Sequence, residues 1–191
     1  IRCRYGHGGR KGYEKEWRAN PELSGGGELL DQGIHIVDLI QWFLGIPSEV
    51  FAFFQTKVWN IYPLEDNAFC LLNYKNDIVA SFHVSWTQWK NLFNFEIFGT
   101  KGYIIIDGLG GSYGKETLII AKRNMIGGKP EIITETFSDN DISWHNEWND
   151  FLNGIKNNNY YGTPYEGATA MSIIDALYKS SKLGRKICLE K

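Results

Sequence analysis

VFAFFQTKVWNIYPLEDNAFCLLNYKNDIVASFHVSWTQWKNLFNFEIFGTKGYIIID, residues 50–107, is the stretch that decides the fold. It breaks into five runs rich in aromatic and β-branched residues: 50–59, 67–74, 78–86, 93–98 and 103–107. Each reads as a strand. Asn76-Asp77 and Thr100-Lys101-Gly102 fall between runs as hairpin turns. Residues 117–122 and 131–137 form a further pair, joined across Gly127-Gly128-Lys129-Pro130. Consecutive strands with short connections pair antiparallel. Working outward, residues 1–5 read as one more strand and 187–189 as a short closing one. A helix spans 28–44, with Gly45 as its left-handed C-terminal residue and Pro47 blocking continuation. Asp139 or Asp141 caps a helix running to about residue 156, with Trp144, Trp148, Phe151, Leu152 and Ile155 as its apolar side. Thr163-Pro164 opens another, closed by Gly184. The expected class is α+β: one large, mostly antiparallel, open-faced sheet with helices packed on one face. Trp86, Trp89, Phe93 and Phe95 are assigned to the open face, and such a face predicts a homo-oligomer; the alternative is that most of these aromatics point to the helix side.

Composition excludes several classes. A net charge of -2 gives no general attraction to nucleic acid or to an anionic membrane. No apolar run approaches the roughly 18 residues of a membrane span, and no signal peptide is visible. Cys3, Cys70 and Cys188 are too few and too widely spaced for a disulfide framework or a cysteine metal site. A cytoplasmic setting is the simplest expectation. The chain opens on Ile1 and reads as a single domain over 1–191, in the manner of a fragment whose N-terminal partner lies elsewhere.

The helix at 28–44 carries the chemistry. On a wheel of about 100° per residue, Asp31, His35, Asp38 and Trp42 share one stripe and the aliphatic residues cover the other side. No Lys or Arg lies between Glu28 and Gly45. This predicts a helix buried on most sides, its polar stripe facing a cavity. Asp31 and His35, four residues apart, are expected to be neighbours. A carboxylate beside an imidazole orients the ring, and the free ring nitrogen can take a proton from a hydroxyl during oxidation of a secondary alcohol. The alternative for Asp31 is a partner for the helix dipole. A metal site built from Asp31, His35 and Asp38 with His145 or His83 is a rival, without the H-E-x-x-H form, and no metal is assigned.

Gly25, Gly26 and Gly27 before the helix let backbone approach a bulky ligand. The long segment 7–27 is either functional or disordered, and Tyr13, Trp17 and Leu23 argue that part of it is packed. Its His7, Arg10, Lys15, Trp17 and Arg18 suit a polar, even phosphorylated, ligand; the alternative is a solvated basic loop paired with Glu14 and Glu16. The glycine-rich run 108–114 lacks the dinucleotide spacing and connects strands. The region around Trp144, His145, Glu147 and Trp148 reads as a packed helix.

With these residues in view, GGGELLDQGIHIVDLIQWFLG resembles the G-G-G-x-L-x-D-x-G-x-H-x-x-D-x-x-x-W-x-L-G signature of the glucose–fructose oxidoreductase / inositol dehydrogenase / MocA family. EIFGTKGYIIIDG is similar to the family's F-x-x-x-G-T-x-G strand pair, WHNEWNDFLNGIKNN to its E-x-x-D-F helix, and GATAMSIIDALYKSSKLGRKICL to its last helix and closing strand. The resemblance covers nearly the whole chain. It implies the C-terminal domain of a two-domain oxidoreductase, with NAD or NADP held mainly by an N-terminal Rossmann domain whose fingerprint is absent here. The family's E-K-P segment is absent too. It implies that His35 accepts the proton of a sugar hydroxyl, that Asp31 positions substrate and imidazole, and that Gly25–Gly27 border the nicotinamide. His7, Arg10, Lys15, Trp17, Arg18 and Asp38 then bind a sugar, sugar nucleotide or cyclic polyol, and the isolated chain is inactive. The second hypothesis is a non-catalytic sugar-binding or regulatory module of the same fold.

Overall fold

The computed structural model describes residues 1–138 and 140–189. Nine strands form one sheet in the order β8-β7-β6-β5-β1-β4-β3-β2-β9. They are β1 (Arg2–Gly6), β2 (Glu49–Gln55), β3 (Asn67–Asn73), β4 (Val79–Ser85), β5 (Leu92–Gly99), β6 (Gly102–Asp107), β7 (Glu116–Lys122), β8 (Glu131–Phe137) and β9 (Ile187–Cys188). All neighbours pair antiparallel except β1 and β4, which run parallel from Arg2↔Ser81 to Gly6↔Ser85. The first strand of the chain is therefore inserted between β4 and β5. The first long run ends at Gln55, and residues 56–66 form the β2–β3 connection.

Helix α1 (Pro21–Ser24) is short, a five-residue π turn (Leu29–Gly33) leads into α2 (Ile34–Leu44), and α3 (Ser143–Asn157) and α4 (Pro164–Leu183) follow the sheet. The open-sheet expectation holds, with helices α2 and α4 against one face. Ala170, Ile173, Ile174 and Leu177 lie at helical spacing on α4 and bury against the strands with Ile36, Val37 and Ile40 of α2. α4 begins with a capping box between Thr163 and Glu166 and ends at left-handed Gly184. Gly45, by contrast, ends α2 at φ 74°, ψ −151°, outside the left-handed helical region. α4 also protects the β2 edge, because Ser180 Oγ and Ser181 Oγ accept the Ala52 and Phe54 amides at 3.1 Å each.

The open face is real, but its residues differ from the expected set. Trp86, Phe93 and Phe95 are buried on the helix side, and exposed Trp89 sits in the β4–β5 connection. Phe53, Phe69 and Leu71 occupy the open face instead, with His83 stacked on Phe69 at 4.0 Å. Alternation defines two faces of a strand, but the packing of distant helices decides which one is covered.

α3 departs from expectation in another way. Asp139 lies outside the described residues; Asp141 Oδ1 accepts the Ser143 amide at 2.9 Å, which holds the Asp141 carboxyl below its ordinary range. The apolar side of α3 is exposed rather than packed, and Gly154 is its one buried residue among those described. No described helix is long and apolar enough to cross a membrane.

Candidate active site

The segment between β1 and α2 is ordered by a small aromatic core of its own. Tyr13, Ile61, Leu64 and Trp86 are buried together, with Tyr13 edge-on to Trp86 at 4.8 Å. Trp59 Nε1 donates to Trp86 O at 3.0 Å and closes this core from the β2–β3 connection. Tyr13 is thus packed as expected, whereas Trp17 and Leu23 are exposed.

The glycine turn is filled from within. A Cβ on Gly26 would lie 2.5 Å from Tyr178 Oη, and one on Gly27 would lie 2.3 Å from Glu65 O. Both glycines are buried, and only Gly25 reaches the surface. The Glu28 amide donates to Glu65 O at 3.0 Å, the Leu29 amide to Glu65 Oε1 at 2.9 Å, and Tyr178 Oη to the same oxygen at 2.8 Å. Sequence reasoning missed Glu65 and Tyr178, which sit far from the glycines in the chain.

The π turn then changes the wheel. It contains Asp31, so the uniform helical angle assumed for the stripe fails at its first member. Asp31 Oδ1 accepts Arg18 Nε at 3.3 Å, and no hydrogen bond joins Asp31 to His35 among the described residues. The Arg18 guanidinium lies 4.5 Å over the Trp17 ring. His35, Asp38 and Trp42 are exposed, contrary to the expectation of a helix buried on most sides. They line an open cleft of about 1450 Å³ with Tyr5, Tyr113 and Trp144. Tyr113 Oη accepts Gln32 Nε2 at 2.9 Å and ties the β6–β7 connection to the π turn.

The other loop candidates divide. His7 is half-buried, and its Nδ1 accepts the Gly9 amide at 2.9 Å. An amide can only donate, so the neutral ring carries its hydrogen on Nε2. Burial lowers the His7 pKa, opposed by the Asp31 carboxylate. Arg10 is spent on Glu16 through two bonds of 2.7 and 3.0 Å. Lys15 is exposed and makes no ion pair among the described residues. His7, Arg18 and Asp31 are therefore brought together, and His35, Asp38 and Trp42 form the adjoining cleft wall. His83 lies on the open sheet face, and no group of three metal-type side chains gathers among the described residues.

The model of the GFO/IDH/MocA C-terminal domain matches residues 1–105, more than half of the chain. The chain belongs to this family. The GFO/IDH/MocA domain here is similar to a 1,5-anhydro-D-fructose reductase of Ensifer adhaerens, 28% identical over 90 residues, which are 47% of this chain and 27% of that protein. Among solved structures, an NAD binding oxidoreductase from Klebsiella pneumoniae superposes with a TM-score of 0.81 at 20% identity, over 100% of this chain and 58% of that one. A levoglucosan dehydrogenase in complex with NADH and L-sorbose gives 0.82 at 18% identity, with the same coverage. An aldose-aldose oxidoreductase from Caulobacter crescentus gives 0.77 at 22%, over 98% and 55%. This GFO/IDH/MocA chain thus spans about a quarter of the curated relative it matches and under three-fifths of these structural neighbours. The open sheet with α2 and α4 on one face is the fold they share with it.

Proposed function

We propose that this domain binds a sugar, sugar nucleotide or cyclic polyol and serves oxidation of one of its secondary hydroxyls by hydride transfer, with NAD or NADP as cofactor. The supporting observation is that one helix sets His35 in the wall of an open cleft while its first turn, through Asp31, holds Arg18. In this reading His35 accepts the hydroxyl proton, and Asp31 acts by fixing Arg18 rather than by orienting the imidazole. His7 offers an Nε2–H donor, Trp17 an apolar face and Asp38 an acceptor. Arg10 and Arg18 are each neutralised by a carboxylate. The loop is then a set of hydrogen-bond donors, better suited to an uncharged ring than to a diphosphate.

The described residues do not fit a whole dinucleotide, because the glycine-rich run 108–114 joins two strands and leads into no helix. Its binding is assigned to a separate dinucleotide-binding domain, and in this reading Gly25, the exposed member of the glycine turn, borders the nicotinamide. That cofactor supplies the hydride acceptor; proton removal and ring positioning fall to the residues above.

The test is a titration of the intact protein, this domain joined to its dinucleotide-binding domain, with levoglucosan, 1,5-anhydro-D-fructose and a uridine diphosphate sugar, with NAD(P) absorbance followed throughout. Saturable cofactor reduction or oxidation by one of them supports the oxidoreductase. Binding without any cofactor change would favour a sugar-binding module, a reading helped by the missing bond between Asp31 and His35. In the same titration Arg18→Met weakens binding by about tenfold, the size of one charge-assisted hydrogen bond. Its unfolding free energy changes by less than about 1 kcal/mol, because the pair is partly exposed.

The open face is read as a homo-oligomer surface. Phe53 and Leu71 are exposed apolar side chains on adjacent strands of that face. The double substitution Phe53→Asp, Leu71→Asp yields monomers in sedimentation with an unchanged circular dichroism spectrum. An unaltered assembly mass would refute this interface.

A further inference from the structure

Glu28 is fully buried at the head of the π turn, and neither carboxyl oxygen has a hydrogen-bond partner among the described residues. Tyr13 Oη and Trp86 Nε1 are likewise buried without partners. The charged and titratable groups facing Glu28 are Asp31 on its own helix, Glu65 from the β2–β3 connection, Tyr5 from β1 and Tyr13 from the loop. None of them is a cation. Glu65 is buried as well and burial raises its carboxyl too, but it accepts Tyr178 Oη and the Leu29 amide, which oppose that rise. Glu28 has no such compensation, and an isolated carboxylate in an apolar surround is far costlier than the neutral acid.

We propose that Glu28 is a positioning residue that works as a neutral carboxylic acid, filling the wall behind Asp31 and leaving Asp31 as the single anion available to Arg18. This rests on the reading of Asp31 and Arg18 given above. Ionisation of Glu28 would place a second negative charge behind Asp31 and compete for the guanidinium that the substrate needs. Burial pushes the Glu28 carboxyl well above the usual carboxylate range, reinforced by Asp31 and Glu65; the Ser85 backbone and Trp86 indole oppose the rise without reaching bonding geometry.

The sign of the pH effect follows. An acid whose pKa is raised by folding favours the folded state most at low pH, below the unfolded value of about 4.3. That stability is lost as pH rises toward the folded value. The urea midpoint of the wild-type protein should therefore decline with rising pH relative to that of Glu28→Gln, a neutral near-isostere that keeps every other titrating group, and Glu28→Gln should exceed wild type at the alkaline end. Wild type should show an infrared band of a protonated carboxyl that Glu28→Gln lacks. The carbon-13 signal of the Asp31 carboxyl should show an alkaline inflection in wild type that the same substitution removes. Glu28→Ala, which also removes volume, should be destabilised at every pH.

The infrared and carboxyl measurements need neither substrate nor turnover, so their outcome is independent of whether the protein is an oxidoreductase. Absence of the band in wild type, an unchanged slope in Glu28→Gln, or a Glu28→Gln protein that fails to fold would each overturn the proposal.

Discussion

If His35 is the base of the proposed oxidoreductase, His35→Ala lowers turnover of the intact protein by roughly 10² or more, while the fold is unchanged. The chemical reason is that an alcohol cannot give up a hydride without also losing its hydroxyl proton. Without a base beside it, that proton passes to water at a higher barrier. The structural reason is that His35 is exposed on α2 and its ring makes no hydrogen bond among the described residues. Its removal should shift the unfolding free energy by no more than about 0.5 kcal/mol, as for other surface positions. Turnover and denaturation therefore separate the proton role from a structural one. The loss should appear in kcat rather than in KM, because the imidazole acts on the reacting proton. An effect below about threefold would remove His35 from the role.

Gly27→Ala has the largest expected effect on stability, more than about 3 kcal/mol. A Cβ there meets Glu65 O at 2.3 Å and Glu65 N at 2.7 Å. Both are backbone atoms, so no rotamer change relieves the clash. The β2–β3 connection must instead move away from the head of α2. That movement breaks the Glu28 amide bond to Glu65 O and disturbs the Tyr178 hydroxyl, which accepts the Gly27 amide at 3.2 Å and donates to Glu65. Gly25→Ala is the control: its Cβ meets nothing closer than Leu30 Cδ2 at 3.7 Å. The remaining cost there is the positive φ of 75°, about 1 kcal/mol. Urea unfolding of the two variants distinguishes them, and a loss below about 1 kcal/mol for Gly27→Ala would contradict the packing described.

The strands were legible because alternation is a local property of the chain. Residues 131–137 and 67–73 stand where their pattern puts them. The central place of β1 was not legible, since its neighbours β4 and β5 lie about eighty to ninety residues away and nothing local encodes a parallel pair. The exposed Asp38 and Trp42 show a related limit: a helix without lysine or arginine is not thereby buried. The Asp31–Arg18 contact lay beyond a wheel diagram, because the partner sits in an irregular loop and the wheel itself is broken by the π turn. Glu28 was in plain view as an acid on an apolar helix, and its complete burial became visible only in the folded chain.

The insertion of β1 between β4 and β5 also bears on the order of assembly. Strands β2, β3 and β4 can zip together through local turns, and so can β5 to β8. The two sheets so formed have no shared edge until residues 2–6 slide between them. Contacts that span so much chain are slow to close. The loop bearing His7 and Arg18 leaves directly from that strand. A chain stalled before this last insertion would have most of its secondary structure and none of its proposed site, so recognition of the proposed ligand would double as a report that the middle of the sheet has closed.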